Sequence, residues 1–455
     1  MIRNKFSDKL TLWSIIFIFS ILINSVALKS APLISDFPPV RDALECTARE
    51  GLPHFFRKIR KGEEIRIAYL GGSITAQAGW RVKSLGYFKK TYPNCKFSEI
   101  NAAIGGTGSD LGVLRIDHDV LSKQPDLMFV EFAVNDSNSD PVEIAKSMEG
   151  IVRKTWKAFP KCDICFVYTF TDSPLFQDLK IGKLNRSAAT MEVIADFYAI
   201  PSIHLGLEAV HLEKVGKLIM KAPEVKLERV SGDELNQSDK LPLSAEGKIH
   251  FSGDGVHPYI NTGHQLYMEA IERSLPLIRS ASKKSRSHHL NGPFNPNNYE
   301  NTITIDPDKA KLEGEWMKLP QNDEVVNPFA NRVSSFWRGA AGATLTLQFK
   351  GEAVEIYDLL GPDGCRLEIT IDGQISYVNR IDGYCTYRRL AITKAAFNQD
   401  PTKIHELKIK ILTEKPDKRN ILFEQNRADF DKNPKKYEGN YWFVGAIFVA
   451  GELIN

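Results

Sequence analysis

Apolar residues recur with two different periods along this chain. Between residues 65 and 275, short apolar runs alternate with longer amphipathic stretches. The runs at 65–70, 97–104, 126–132, 163–170 and 201–205 predict buried strands. The stretches 79–92, 110–121, 141–159 and 184–198 predict helices, and another is predicted at 262–275. Alternation of this kind implies an α/β fold, a parallel sheet with helices on both faces. The segment 207–249 is polar and aperiodic, and reads as loops or short strands. Beyond residue 302 the period becomes two. Leu345, Leu347 and Phe349 alternate with Thr344, Thr346 and Gln348; Leu407, Ile409 and Ile411 alternate with Glu406, Lys408 and Lys410. Asp372-Gly373 marks a two-residue hairpin turn. Strands with one apolar face each predict an all-β sandwich. Between the halves, a polar, basic run (280–289) and Gly292-Pro-Phe-Asn-Pro have the composition of a solvated linker. The expected organisation is a leader at 1–30, an α/β domain at 36–282, a linker at 283–301 and a β-sandwich at 302–455.

The leader rests on Arg3, Lys5 and Lys9 ahead of an apolar run from Leu12 to Leu28, with Ser25-Val26-Ala27 as a cleavage site. This is the pattern of a secretory signal peptide. It predicts an exported protein, periplasmic or extracellular, with no membrane span after its removal. Lys plus Arg (59) nearly balance Asp plus Glu (56), and a net charge of +3 gives no footing for nucleic acid. Export permits disulfides among the six cysteines, but sequence does not fix their pairing. Cys162-x-x-Cys165 falls in a predicted strand, where residues three apart point to opposite faces, so it reads as buried apolar residues or one disulfide. Pairing about Asp372-Gly373 sets Cys365 opposite Arg380 rather than Cys385. No metal and no cofactor is invoked.

Three small-residue clusters follow the first three predicted strands: Gly71-Gly72-Ser73-Ile74-Thr75, Gly105-Gly106-Thr107-Gly108 and Asn135-Asp136. Ligands of an open parallel sheet bind outside the carboxyl ends of its strands, so Ser73, Gly106 and Asn135 gather at one edge before any chemistry is assumed. The residue types fit acyl transfer. Ser73 supplies a hydroxyl nucleophile. The N–H groups of Ser73 and Gly106 and the Asn135 amide supply donors for an oxyanion. Asp254 and His257, three apart in Phe251-Ser-Gly-Asp-Gly-Val-His-Pro258, supply an orienting carboxylate and a base. Trp80 and Arg81 open a helix near Ser73, where substrate contact and packing are equally open. Trp337, Tyr357, Tyr384 and Tyr387 read first as packing and second as a sugar platform.

Taken together, Gly71-Gly72-Ser73, Asn101-Ala-Ala-Ile-Gly-Gly106, Ala133-Val134-Asn135-Asp136 and Asp254-x-x-His257-Pro258 resemble the four motif blocks of the SGNH (GDSL-like) hydrolase superfamily, in the family's order. Two positions depart from it: Gly72 stands where Asp precedes the serine, and Ala133 where Gly opens the third block. Thr75 replaces the second glycine of a Gly-x-Ser-x-Gly elbow, against an α/β-hydrolase. The resemblance implies a flavodoxin-like parallel sheet sandwiched by helices, with Ser73 as nucleophile, His257 as base, Asp254 as its orienter, and Gly106 and Asn135 in the oxyanion hole. Gly-Gly-Ser-Ile-Thr followed by Gly79-Trp80-Arg81 further resembles bacterial esterases that deacetylate polysaccharides. Gly361-Pro-Asp-Gly364 with 367–372 resembles the jelly-roll-like modules accompanying some of them. The expected activity is hydrolysis of a carboxylic ester, O-acetyl on a glycan. Transfer of the acyl group to a sugar, and glycan binding by an inactive hydrolase domain, are the alternatives. Oligomeric state is left open.

Overall fold

The computed structural model describes residues 37–222, 247–283 and 286–454. The leader at 1–30 lies outside them, as does most of the polar stretch after residue 222. Among the described residues no helix is long and apolar enough to cross a membrane.

Six strands form the first sheet: β1 (Cys46–Thr47), β2 (Ile65–Gly71), β3 (Phe97–Asn101), β4 (Leu127–Glu131), β5 (Asp163–Tyr168) and β6 (Ser202–His204). Their order is β1-β6-β5-β4-β2-β3, and all pairs are parallel except β1 with β6. Leaving aside the edge strand β1, this is the flavodoxin-like order. Every residue of β4 and β5 is buried, as strands covered on both faces require. The covering helices are α1 (Pro53–Lys61), α3 (Trp80–Thr91), α4 (Ser109–Asp119), α5 (Pro141–Ala158), α6 (Arg186–Phe197) and α8 (Gly263–Ala281). α3 packs on α8, and α5 packs on both α4 and α6. A one-turn helix, α2 (Ser73–Ala76), follows β2, and α7 (Leu207–Lys214) follows β6. The 207–249 stretch also contributes two short parallel strands, β7 (Leu218–Lys221) and β8 (Ile249–Ser252). α8 runs six residues past the expected end, through Pro276; burial of Ile278 beyond the proline holds the added turns.

The remaining strands are all antiparallel: β9 (Thr302–Ile305), β10 (Lys311–Glu313), β11 (Trp316–Leu319), β12 (Phe336–Gly339), β13 (Thr344–Leu360), β14 (Arg366–Ile371), β15 (Gln374–Asn379), β16 (Arg389–Ala396), β17 (Ile404–Ile411) and β18 (Trp442–Ile454). β14 and β15 meet at Asp372 and Gly373, both with positive φ, which gives the predicted turn. Arg380 donates to the Cys365 carbonyl at 2.7 Å, so Cys365 lies opposite Arg380 as the register predicts. β13 pairs with β17 over residues 344–350 and with β16 over 354–360, while β18 spans both halves. Register slips at Gly351/Ala353 bend the strand at the changeover. The sheet curls into a half-barrel around Leu345, Phe349, Ile356, Leu367, Ile409 and Trp442.

The two parts share a hydrophobic core. Leu319, Val326, Phe329, Phe336, Tyr357 and Phe448 of the β part belong to the same apolar cluster as the α/β sheet. The segment joining the parts is bound rather than solvated. His288 stacks on Trp156 at 4.4 Å, and Glu149 accepts the N–H groups of Phe294 and Asn295. All six cysteines are free thiols, and Cys162 and Cys165 are buried core residues.

Candidate functional site

The strand order reverses at β2. The chain crosses from β2 to β3 on one side of the sheet and from β3 to β4 on the other. Such a switch point opens a crevice at the carboxyl ends of the strands. Ser73 follows β2 and Asn135 follows β4, the two strands that flank it.

Ser73 is the first residue of α2. Gly72 before it has φ −91° and ψ −155°, an ordinary extended conformation. Its need for glycine is steric, because a Cβ there would stand 1.9 Å from Asn135 Oδ1. A Cβ on Gly105 would lie 3.5 Å from that of Ser73, so the Gly105-Gly106 backbone passes against the serine. Gly106 has φ +74°, in the left-handed region that favours glycine, and opens onto the cavity.

Asp254 and His257 arrive on the loop after β8. Asp254 Oδ1 accepts the N–H groups of Val256 and His257, both at 2.8 Å, which fixes the carboxylate. Its Oδ2 accepts from His257 Nδ1 at 2.7 Å, and His257 Nε2 lies 2.8 Å from Ser73 Oγ. An ionised carboxylate only accepts, so the proton sits on Nδ1. Nε2 then presents its lone pair to the hydroxyl. Burial raises the Asp254 pKa, but the His257 hydrogen bond and charge and the two N–H groups lower it further, to about 2. The carboxylate is thus ionised at any working pH.

The loops are cross-braced. His264 is wholly buried, and burial with neighbouring cations lowers its pKa to about 3. As a neutral ring it accepts from the Trp80 N–H at 3.1 Å and donates to Gln77 Oε1 at 3.1 Å, and Gln77 donates to the Pro258 carbonyl. The histidine so links the serine segment to the loop carrying His257. Glu131, at the end of β4, accepts from Thr75 Oγ1 at 2.8 Å and Thr169 Oγ1 at 2.6 Å; burial outweighs these bonds and raises its pKa. Asp136 accepts from the Ser109 N–H at 3.0 Å; burial, then repulsion from Asp110, lifts it to about 7. Asp140, not Asn135 or Asp136, caps α5.

Ser73, Gly106, Asn135, Asp254 and His257 line one cavity of about 640 Å³. The β part lines the same cavity through Tyr384, Tyr387 and Arg389. Arg389 pairs with Asp382 and lies over the Tyr384 ring, 5.5 Å from its centre.

Trp80 and Arg81 do not line the cavity. Trp80 is fully buried among Tyr69 and Phe129. Arg81, also buried, donates to the carbonyls of Thr75 and Ala76 and pairs with Glu99 at 2.6 Å. Their expectation as substrate contacts is corrected: α3 turns its first residues toward the sheet, and Arg81 caps the end of α2. Of the four aromatic candidates in the β part, Tyr384 and Tyr387 reach the cavity. Tyr357 is core, and Trp337 donates to Asp306. The bracing residues Gln77, Glu131 and His264 were not readable as a site; Glu131 alone left a signal, an acid inside an apolar run.

Among the described residues one group, His54, Asp163 and His288, places three metal-capable side chains within 4.8 Å of one another. Asp163 opens β5, so the group sits at the edge of the sheet opposite Ser73. Its hydrogen bonds are spent on structure: Asp163 accepts from His288 at 2.9 Å and from the Phe55 N–H at 2.8 Å.

No family model matches the sequence, and no curated protein matches it. Solved structures do. A two-domain esterase active on acetylated mannans superposes with a TM-score of 0.64, and its co-crystal with mannopentaose with 0.61. Each is 19% identical and covers 90% of this chain and 100% of its own. At that identity the likeness shows the fold, a flavodoxin-like α/β core carrying a C-terminal β module.

Proposed function

We propose that this chain is an exported serine ester hydrolase that removes O-acetyl groups from a glycan. The observation that carries the proposal is the unbroken relay Ser73 Oγ–His257 Nε2, His257 Nδ1–Asp254 Oδ2, at 2.8 and 2.7 Å. Ser73 and His257 line a cavity whose walls come from both parts.

In the reaction, Ser73 Oγ attacks the acetyl carbonyl carbon while its proton passes to His257 Nε2. The carbonyl oxygen gains negative charge in a pocket where the N–H groups of Ser73 and Gly106 and the Asn135 amide serve as donors. Asp254 stabilises the imidazolium and holds the ring in register. Collapse breaks the ester C–O bond, and His257 returns the proton to the departing sugar oxygen. Water, deprotonated by the same imidazole, then attacks the acetyl-serine and releases acetate.

The glycan assignment is supported by the two-domain likeness and by Tyr384, Tyr387 and Arg389, whose rings and donors suit sugar faces and hydroxyls. The N-terminal sequence pattern supports export. The test is acetate release from acetylated glucomannan and acetylated xylan by the native chain and by Ser73→Ala. The native chain is expected to release acetate, with a loss of about 10³-fold or more in the variant. Undiminished release by Ser73→Ala would sink the mechanism. Hydrolysis of p-nitrophenyl acetate without release from any acetylated glycan would sink the substrate assignment alone.

A further inference from the structure

The segment that delivers Gly106 leaves β3 as Asn101-Ala102-Ala103-Ile104. Its N–H groups are tied to the α/β sheet: Ala102 donates to the Tyr69 carbonyl at 2.9 Å and Ile104 to the Gly71 carbonyl at 3.0 Å. Its carbonyls are tied elsewhere. Arg115, on α4, donates to Ala102 O at 2.5 Å and to Asp119 at 2.7 Å. Arg332, which belongs to the β module, donates to Asn101 O at 3.0 Å and to Ala103 O at 3.4 Å, and approaches Asp119 at 3.5 Å. Arg115, Asp119 and Arg332 are all buried. Two guanidinium groups sharing one carboxylate thus take three successive carbonyls, ending three residues before Gly106.

We infer that Arg332 is a positioning residue, through which the β module sets the alignment of the oxyanion segment. The inference rests on the proposed ester chemistry. Buried charge-assisted hydrogen bonds are short and directional. A guanidinium can serve two carbonyls and a carboxylate together, and an ammonium cannot reproduce that fork. Arg332 is anchored in turn by the shared core, since its N–H donates to the Phe329 carbonyl and Phe329 is buried in the cluster common to both parts. Moving the module, or losing this side chain, frees the carbonyls of residues 101 and 103. Gly106 can then drift from the position where its N–H meets the developing charge.

The experiment uses the full chain with p-nitrophenyl acetate. Active sites are counted by end-point labelling with a fluorophosphonate, so that kcat is expressed per competent site. Arg332→Lys and Arg332→Met are compared with Leu319→Ala, which thins the same shared core and leaves in place the Arg332 side chain that holds the carbonyls of residues 101 and 103. Both Arg332 variants are expected to lose roughly 10- to 100-fold in kcat per site with KM changed less than threefold, part of the full effect of an oxyanion donor. Leu319→Ala is expected to keep native kcat per site. Values within twofold of native for both Arg332 variants would overturn the inference. So would an equal loss in Leu319→Ala, which would mean general loosening. Should Arg332→Met fail to melt cooperatively, Arg332→Lys alone decides. The proposed chemistry is judged separately: native Arg332 variants beside an inert Ser73→Ala refute only this inference.

Discussion

Replacing Gly72 by alanine separates catalysis from folding at a single methyl group. The backbone at residue 72 is extended, so alanine meets no conformational strain. Its Cβ would instead stand 1.9 Å from Asn135 Oδ1 and 2.7 Å from Asn135 Cγ. Non-bonded carbon and oxygen atoms do not approach that closely, so the Asn135 side chain must withdraw by about 1 Å or swing out of place. It is the free end of a side chain bordering a cavity, so the movement is cheap for stability. Under the proposed mechanism it is costly for catalysis, because that amide is assigned as the third oxyanion donor. Misplacement of about 1 Å costs on the order of 10²-fold, and loss of a donor about 10²–10³-fold. The expected result is a fall in kcat per titrated site of about 10²-fold, with a melting temperature within about 2 °C of native. Asn135→Ala should fall by about the same amount, and the double variant no further than either, because both remove one group. Rates for Gly72→Ala within threefold of native, or additive losses in the double variant, would refute the reasoning.

Three further outcomes follow from the site and its surroundings. Asp254→Asn should lower kcat by about 10⁴-fold by reversing the preferred imidazole tautomer, as measured at saturating p-nitrophenyl acetate. The Asp254 carboxyl lies near 2, below its ordinary 3.8, so its stabilisation is present above the ordinary value and lost only as pH falls through 2. Glu355, buried where the two parts meet, shows the opposite sign. Burial, then Asp110, raise it from 4.5 to about 8 against the pull of Lys394. The folded chain therefore holds a proton that the unfolded chain releases, and this group costs stability progressively from about pH 4.5 to 8. Glu355→Gln should accordingly melt higher than native at pH 8 and no higher at pH 4.5 in paired calorimetric scans; equal differences at both would reject the assignment.

The parts of the fold legible in the sequence were those written in local pattern. β2, β4 and β5 are largely apolar runs, the β14–β15 turn carries Asp372-Gly373, and Ser73, Asp254 and His257 sit in small-residue turns after strands. Ser73, Gly106 and Asn135 could be gathered because parallel strands end at one edge, an argument that needs no contacts. What escaped depends on tertiary direction. Trp80 and Arg81 are close to Ser73 in sequence, but α3 turns them into the core. α8 runs past its expected end at residue 275 because the burial of Ile278, which holds the added turns, is a tertiary contact. The 286–301 segment has a linker's composition, yet His288 finds Trp156, 132 residues earlier. Arg332 lies in a polar stretch of the β part, 231 residues from the Asn101 carbonyl it holds. No periodicity reports such a partner.

The central claim is that Ser73 is the nucleophile of an ester hydrolase. Intact-mass and peptide analysis after fluorophosphonate treatment tests it most directly. One adduct is predicted, on the peptide containing Ser73, with acetyl-ester hydrolysis lost in proportion to labelling and no adduct in Ser73→Ala. A fully labelled Ser73 beside undiminished hydrolysis, or an adduct on another serine that abolishes activity while Ser73 stays unmodified, would contradict it.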